Sequence, residues 1–387
     1  MCLTRKTRFL AKIFDIWVVV VVTSASISNI ISSISITTMV ATKAMRFLFL
    51  LVLSPVGRCL SFGDFQLPKL PWDNNAGTGS NGSTLQSGDT VAVVGLGNVG
   101  KLVALRLSDT YKVNGIVRDA NSVKYFFEGR EDKISLFETD LLEEVSSMES
   151  KNSQQPYCPD SLLLALRDAN AIVICTGTTA FPTEAWSRSG QFSVTSTVIS
   201  ALLDSKFDVS QALLSLDTQG LNTPNNVDNL ANKLILDAWK KACKVKRKRA
   251  IMLSSIGVKR RESMPFPILN ACGVLDAKAA GEKALQAAAV EGGFSYTILR
   301  PGQLFGGPYD NNYYLGTLFQ LDKDSKTRDV EIERGDELLG DTLRSTLAEV
   351  TAQLLEGDCA KDMDFAVVNV KGDAPTEEGV REKLEAL

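Results

Sequence analysis

The feature that most constrains this chain is Thr90–Leu107, TVAVVGLGNVGKLVALRL. Val91–Val94 is a short apolar run rich in β-branched residues, the pattern of a strand buried on both faces. Gly95, Gly97 and Gly100 follow as G-x-G-x-x-G, with Asn98 and Val99 inside the turn. Lys101–Leu107 then carries Leu102, Val103 and Leu107 at helical spacing. Strand, glycine turn and helix in this order suit a dinucleotide. The first glycine permits the tight turn, the second lets the backbone approach a pyrophosphate, and the third lets the helix pack on the strand. The free N–H groups and positive dipole end of the helix then face the phosphates. A glycine turn that binds nothing has the same letters, so the rest of the chain must discriminate.

The chain has 387 residues, 22% of them charged, with a formal net charge of −3. That balance argues against a nucleic-acid binder driven by overall charge. There is no histidine, which excludes a Ser-His-Asp triad, a Cys-His dyad and any His-ligated metal site. The cysteines, Cys2, Cys59, Cys158, Cys175, Cys243, Cys272 and Cys359, include no C-x-x-C pair. They read as free thiols in a reducing compartment.

Residues 1–60 differ from the rest. They carry Arg5, Lys6, Arg8, Lys12, Lys43, Arg46 and Arg58 against a single acid, Asp15. Ile16–Val22 is too short to span a bilayer alone. Phe47–Leu53, read from Met39 or Met45, resembles a signal-peptide core ending near Val56–Leu60. Abundant hydroxyls and few acids also suit a transit peptide, and Ser61-Phe62 after a signal-like start resembles the two-part presequences of algae with complex plastids. Plastid import is the expectation; a membrane anchor and secretion stay open. Residues 61–88, rich in Gly, Asn, Ser and Pro, read as a linker. The folded domain is expected over 89–387, and the mature chain to start between Cys59 and Gly88.

Further strands are expected at Lys112–Val117, Lys133–Glu138, Ala171–Cys175, Ala250–Ser254 and Tyr296–Arg300. Helices are expected at Asp160–Asp168, Val227–Lys240 and Arg344–Leu355. This alternation implies an α/β protein, a Rossmann-type doubly wound parallel sheet with right-handed crossovers. Ligands in such sheets bind beyond the carboxyl ends of the strands. That rule gathers Gly95–Gly100, Arg118, Asp140 and Thr176–Thr178 along one crevice. A dinucleotide site selective for NAD usually carries an acid after the second strand. Here Arg118 comes first, with a planar fork that suits a 2′-phosphate, and Asp119 second. NADP(H) is therefore favoured over NAD(H).

Several segments in order resemble the atypical short-chain dehydrogenases/reductases. They are VAVVGLGNVGKLV, GIVRD, ETDLLE, VICTGTTAFPTEAW, NTPNNVDNLANKLILDA, AIMLSSIGV, GVLDAKAAGEKAL, FSYTILRPGQLFGGPYDN and RGDELLGDTLRSTLAEV. More narrowly, they resemble the NmrA-like, plastid-type NAD(P)-binding proteins of plants and algae, over about residues 90–356. The resemblance implies cofactor contacts from Gly95, Gly97, Asn98, Val99, Gly100, Arg118, Asp140, Leu141, Thr176, Gly177 and Lys278.

Three departures stand out. The family more often has a glycine loop one residue longer. Residues 191–220 read as an insertion, either a lid over the crevice or a surface decoration. Typical members carry Tyr-x-x-x-Lys and an upstream Ser, in which the Tyr transfers a proton and the Lys lowers its pKa and holds the nicotinamide ribose. Ser254 and Ser255 match the Ser region and Lys278 the Lys, but Val274 stands at the Tyr position. Isoflavone-reductase-like relatives use a lysine for the proton, so the resemblance leaves Lys278 as candidate donor. Tyr309, in the loop Gly306–Asn312, is a second candidate.

Two basic clusters remain. Lys244–Arg249 lies away from the crevice and reads as helix C-terminal cations or as an RNA- or membrane-surface patch. Lys259-Arg260-Arg261 lies on the crevice side. Residues 320–387, with a strand at Phe365–Val370 and a helix at Glu377–Leu387, are expected to form the substrate-side portion. The leading expectation is an NADP(H)-dependent reductase of a small carbonyl or enone in an organelle. The alternative is a non-catalytic NAD(P)-binding factor for assembly, RNA metabolism or redox sensing in a plastid. No residue pattern speaks to oligomeric state.

Overall fold

The computed structural model of the chain describes residues 84–143, 159–189, 192–306 and 327–387. The segment 1–60, the stretch 61–83 and Tyr309 lie outside the described residues.

Strand β1 (Thr90–Val94) runs into helix α1 (Gly100–Leu107), followed by β2 (Lys112–Val117), α2 (Asn121–Lys124) and β3 (Ile134–Glu138). Helix α3 (Asp160–Leu166) leads to β4 (Ala171–Ile174). Helices α4 (Thr195–Asp204) and α5 (Val209–Thr218) follow, then α6 (Ala231–Ala242) and β5 (Arg249–Leu253). Beyond them come α7 (Phe266–Leu269), α8 (Val274–Gly292), β6 (Ser295–Pro301) and β7 (Gln303–Phe305). The described chain ends with β8 (Asp329–Arg334), β9 (Asp341–Leu343), α9 (Arg344–Glu356), β10 (Met363–Val370) and α10 (Glu377–Glu385). Eight strands form one sheet in the order β3-β2-β1-β4-β5-β6-β10-β8, while β7 and β9 pair separately. Every neighbour in the large sheet is parallel except β8, which runs antiparallel to β10. The expected Rossmann-type doubly wound sheet is therefore present.

Side-chain alternation along β1 shows why the sheet carries helices on both faces. Val91 and Val93 enter one core with Val103 and Leu107 of α1, Leu347 and Leu354 of α9 and Phe365 of β10. Ala92 and Val94 enter the other, with Leu162 of α3, Leu234 and Trp239 of α6 and Leu285 of α8. Val91–Val94 is fully buried, as a central parallel strand must be. Arg106 ties α1 to α9, donating from Nε to Glu349 (2.7 Å) and from Nη1 to Glu356 (3.0 Å). The described part of 320–387 thus extends the sheet by β8 and β10 and adds α9 and α10 to one layer. The folded part also reaches back beyond Gly88, since Leu85 packs into the first core.

The helix expected at Val227–Lys240 is wound differently at its start. Asn225–Leu230 forms a π-turn that continues into α6. Gly281 of α8 faces this turn, and a Cβ there would lie 2.5 Å from the Asp228 carbonyl oxygen. Only glycine allows that approach. In the described part of the insertion, α4 and α5 form a hairpin whose small core gathers Val194, Ala201, Ala212 and Leu216 around Trp186.

Much of the basic cluster Lys244–Arg249 is engaged internally. Arg247 stacks on Trp239 and Phe294. Lys248 pairs with Asp89 at 2.6 Å, and Arg249 is buried beneath the Cys359 and Ala360 carbonyls. On the crevice side, Lys259 pairs with Asp364, Arg260 with Asp336 and Arg261 with Asp276.

Candidate cofactor site

The glycine turn has the geometry its spacing predicts. Gly95 lies at φ +88°, in the left-handed region, and its N–H bonds the Ile116 carbonyl at 3.0 Å. A Cβ on Gly100 would stand 2.1 Å from the Gly95 carbonyl oxygen, so the third glycine sets how closely α1 meets β1. A Cβ on Gly97 would meet nothing within 4 Å. The turn is therefore open just where a pyrophosphate has to approach. Val99 caps α1 without a side-chain hydrogen bond, and no acid stands in its first turn. Such a helix start leaves N–H donors for an anion. These residues fit a dinucleotide.

The neighbouring loops all follow carboxyl ends of parallel strands, so they share one edge of the sheet. After β2, the Asp119 carboxylate accepts from the Asn121 (2.9 Å) and Ser122 (3.3 Å) N–H groups, starting α2. Arg118 is exposed, and its Nη1 donates to the Arg188 carbonyl. After β3, Asp140 accepts from the Leu142 N–H at 3.0 Å and from Arg188 Nη2 at 2.6 Å. Leu141 is half-buried against the α6 side of the core. After β4, Thr176 Oγ1 donates to Asn232 Oδ1 at 2.7 Å. The Thr176 backbone also touches the glycine turn, since a Cβ on Gly95 would meet its nitrogen at 3.0 Å.

Gly177 links this phosphate end to the candidate lysine. A Cβ there would lie 3.6 Å from both Lys278 Nζ and Asp228 Oδ1. Lys278, one turn into α8 from Val274, donates to Asp228 Oδ1 at 2.7 Å. The pair is closed off, with side chains 12% and 1% exposed. Burial pushes the Asp228 carboxyl up, opposed by Lys278 and the Thr178 backbone N–H. Its Oδ2 is buried without a hydrogen-bond partner.

The other candidates are arranged differently. Ser254 Oγ donates to Glu282 Oε1 at 2.5 Å, just past the end of β5. Glu282 also accepts from Arg300 Nε (3.0 Å) and Nη2 (2.7 Å), and Arg300 continues to Asp364. Ser255 Oγ donates to the Ile256 carbonyl at 3.0 Å. Val274 is buried with Val258, Phe266 and Leu275 in an apolar cluster. The structure thus joins Lys278 to Gly177 and the glycine turn, and turns Ser254 away onto Glu282. Asp228, Arg188 and Glu282 were not singled out from sequence. The one signal for Asp228 and Glu282 was their place inside the family-like segments NTPNNVDNLANKLILDA and GVLDAKAAGEKAL. Burial raises the described thiols Cys175, Cys243, Cys272 and Cys359, with Cys272 pushed up to about 11, so none is an activated thiolate.

A mostly parallel, doubly wound sheet with this glycine turn at its first strand defines a Rossmann-type nucleotide-binding protein. Within that class, a family described as NAD(P)H-binding matches residues 95–356, and the chain belongs to it. The match covers most of the stretch that resembles the atypical short-chain dehydrogenases/reductases, and that recognition holds. No protein of curated function matches the sequence. Among solved structures, a putative NAD-dependent epimerase/dehydratase from Bacillus halodurans is 18% identical. The match covers 78% of this chain and 100% of that one, with a TM-score of 0.47. The anaerobillin reductase ChuY from Escherichia coli is 15% identical over 72% and 96%, with a TM-score of 0.43. A short-chain dehydrogenase/reductase from Veillonella parvula in complex with NADP is 14% identical over 74% and 99%, with a TM-score of 0.41.

Proposed function

We propose that the protein is an NADP(H)-dependent reductase of a small carbonyl or enone, with Lys278 as its proton donor. The observation that carries this reading is the buried Lys278–Asp228 pair beside Gly177, at the carboxyl end of β4. Backbone groups of Gly95, Gly97, Asn98, Val99 and Gly100 would hold the pyrophosphate, Arg118 the 2′-phosphate, and Thr176 and Gly177 the nicotinamide half. The reduced cofactor supplies the hydride. Lys278 presents an ammonium with three donors, of which Asp228 takes one. Asp228 fixes the rotamer of a long side chain that would otherwise sample many. A substrate oxygen within reach of the ammonium would receive its proton as negative charge develops there.

A second reading is cofactor binding without turnover, in an assembly, RNA-associated or redox-sensing role. Two observations favour it: Val274 contributes only apolar surface at the usual tyrosine position, and the Ser254 hydroxyl is engaged by Glu282. Single-turnover oxidation of NADPH across a carbonyl panel separates the two. Loss of general acid catalysis in Lys278→Ala is expected to lower the rate by about 10²–10⁴-fold. Equal rates in both proteins would remove Lys278 from the chemistry, and no oxidation in either would favour the second reading. We also propose that residues 1–60 direct import into a plastid and are removed there, on the strength of their seven cations against one acid.

A further inference from the structure

Arg188 lies in the segment that leaves β4, and its backbone is anchored on both sides. Trp186 is fully buried, and its indole N–H donates to the Thr179 carbonyl at 3.0 Å. Asn222 receives this loop, donating from Nδ2 to the Ala185 (3.0 Å) and Ser187 (2.5 Å) carbonyls. Its own N–H bonds the Trp186 carbonyl at 2.8 Å. From this mount the Arg188 guanidinium reaches the carboxyl edge of the sheet. Nη2 donates to Asp140 at 2.6 Å and Nη1 to the Gly220 carbonyl at 3.3 Å. The Arg188 carbonyl in turn holds Arg118 Nη1. Two arginines 70 residues apart in sequence thus meet at the ends of β2 and β3.

We propose that Arg188 is the second arginine of a subsite for a phosphate monoester, the 2′-phosphate of NADP(H), and that Asp140 competes for it. The inference rests on NADP(H) occupying this crevice. The Arg188–Asp140 bridge is open to solvent, with side chains 37% and 28% exposed, so an arriving anion can reach it. A carboxylate offers one negative charge. A phosphate monoester carries about −1.5 to −2 and three acceptor oxygens. A planar guanidinium binds it through two parallel hydrogen bonds. The dianion therefore wins Arg188 from Asp140, while its N–H bond to Gly220 keeps the side chain in place. A ribose 2′-hydroxyl has no charge with which to make that exchange, so NAD(H) leaves the bridge intact. Discrimination then comes from Arg118 and Arg188 together, less the work of releasing Asp140.

Isothermal titration of the full chain with 2′,5′-ADP and with 5′-ADP tests this. Charge-assisted bonds of this kind imply that Arg188→Ala and Arg188→Gln weaken 2′,5′-ADP by between about ten- and a hundred-fold. Binding of 5′-ADP is expected to change by less than about twofold, because it makes no use of the guanidinium charge. Asp140→Asn removes the competitor, and the preference for 2′,5′-ADP over 5′-ADP is expected to rise by about two- to fivefold. Arg188→Gln keeps a donor for Gly220, so it decides the matter if Arg188→Ala fails to fold. A wild-type preference that survives in Arg188→Gln, or that falls in Asp140→Asn, overturns the proposal. A wild type that binds both nucleotides equally overturns the NADP(H) reading itself. Loss of preference in Arg118→Ala but not in Arg188→Gln would refute Arg188 alone.

Discussion

Replacing Lys278 by methionine keeps a stem of similar length and removes the charge, so it isolates what the ammonium does for Asp228. The carboxylate would then be buried at 1% exposure with the Thr178 N–H and no counterion. Breaking a buried ion pair from one side costs about 3–5 kcal/mol. The carboxyl can escape that cost by taking a proton, and the price of doing so depends on pH. From an ordinary carboxylate near about 3.9, protonation costs about 1.36 kcal/mol per pH unit, hence about 1.5 kcal/mol at about pH 5 and about 5.6 kcal/mol at about pH 8. The smaller of the two costs governs. Lys278→Met should therefore lose about 3–5 kcal/mol at about pH 8 but no more than about 1.5 kcal/mol at about pH 5. The sign follows from linkage. Burial raises the folded-state pKa of Asp228 above its unfolded value, so protonation favours the fold. The stability associated with that proton is full below the unfolded pKa and is lost as pH rises through the folded one. Urea unfolding followed by far-ultraviolet circular dichroism at the two pH values measures it. Adding Asp228→Asn to Lys278→Met should restore most of the loss at about pH 8. Equal losses at the two pH values, or no recovery in the double variant, would refute the account of the pair.

Two further outcomes follow from the glycine turn and the chain start. Gly97→Val is expected to leave thermal stability nearly unchanged, because its side chain enters open space, while weakening NADPH and NADH alike in fluorescence titration. Gly100→Ala is expected to destabilise the fold itself, since its methyl group would stand 2.1 Å from the Gly95 carbonyl oxygen. Thermal melts beside the titrations separate the two, and the reverse pattern would refute the assignment. For the chain start, N-terminal sequencing of the native protein should find a mature end between Cys59 and Thr84, because Leu85 already packs into the core. An intact Met1 would refute removal on import.

The elements legible in sequence are those set by local pattern. Lys112–Val117 was readable to the residue, with Val113, Ile116 and Val117 ahead of Arg118, and β4 to within one, because its continuous apolar run marks a buried parallel strand. The tight turn at Gly95 and the close helix contact at Gly100 were readable, since both are backbone properties. The π-turn at Asn225–Leu230 was not, because its winding follows from tertiary packing against Gly281 and from side-chain bonds. Asn226 Nδ2, for example, donates to the Asp217 and Leu221 carbonyls, both at 2.9 Å. The partners of the site were equally hidden. Asp228 lies 50 residues from Lys278, and Arg188 lies 48 from Asp140. No periodicity relates residues that meet only because separate crossovers end at one edge of a sheet. Ser254 shows the converse. Its position at the end of β5 was readable, but its partner Glu282 is supplied by α8.

Helix α8 carries two buried charges one turn apart, Lys278 and Glu282, and each has its own counterion. Glu282 lies between Ser254 and Arg300, whose other side meets Asp364 and, through it, Lys259. That chain alternates in sign and is self-contained, so it braces the ends of β5 and β6. In the Tyr-x-x-x-Lys arrangement the tyrosine transfers the proton, and the lysine lowers the tyrosine pKa and holds the nicotinamide ribose. Here valine fills the tyrosine position and the serine belongs to the brace, which leaves Lys278 the charged donor beside Gly177. Two of the described ion pairs then stand at the ends of β3 and β4, Arg188–Asp140 and Lys278–Asp228. Their burial gives them different behaviour. An exposed pair is worth little, about 0–1 kcal/mol, and can exchange its partner for a better anion. Breaking a buried pair leaves a charge uncompensated at several kcal/mol, so that pair holds its geometry through binding. Under the proposed function, the open bridge would select the cofactor and the closed one would position Lys278 as the proposed donor.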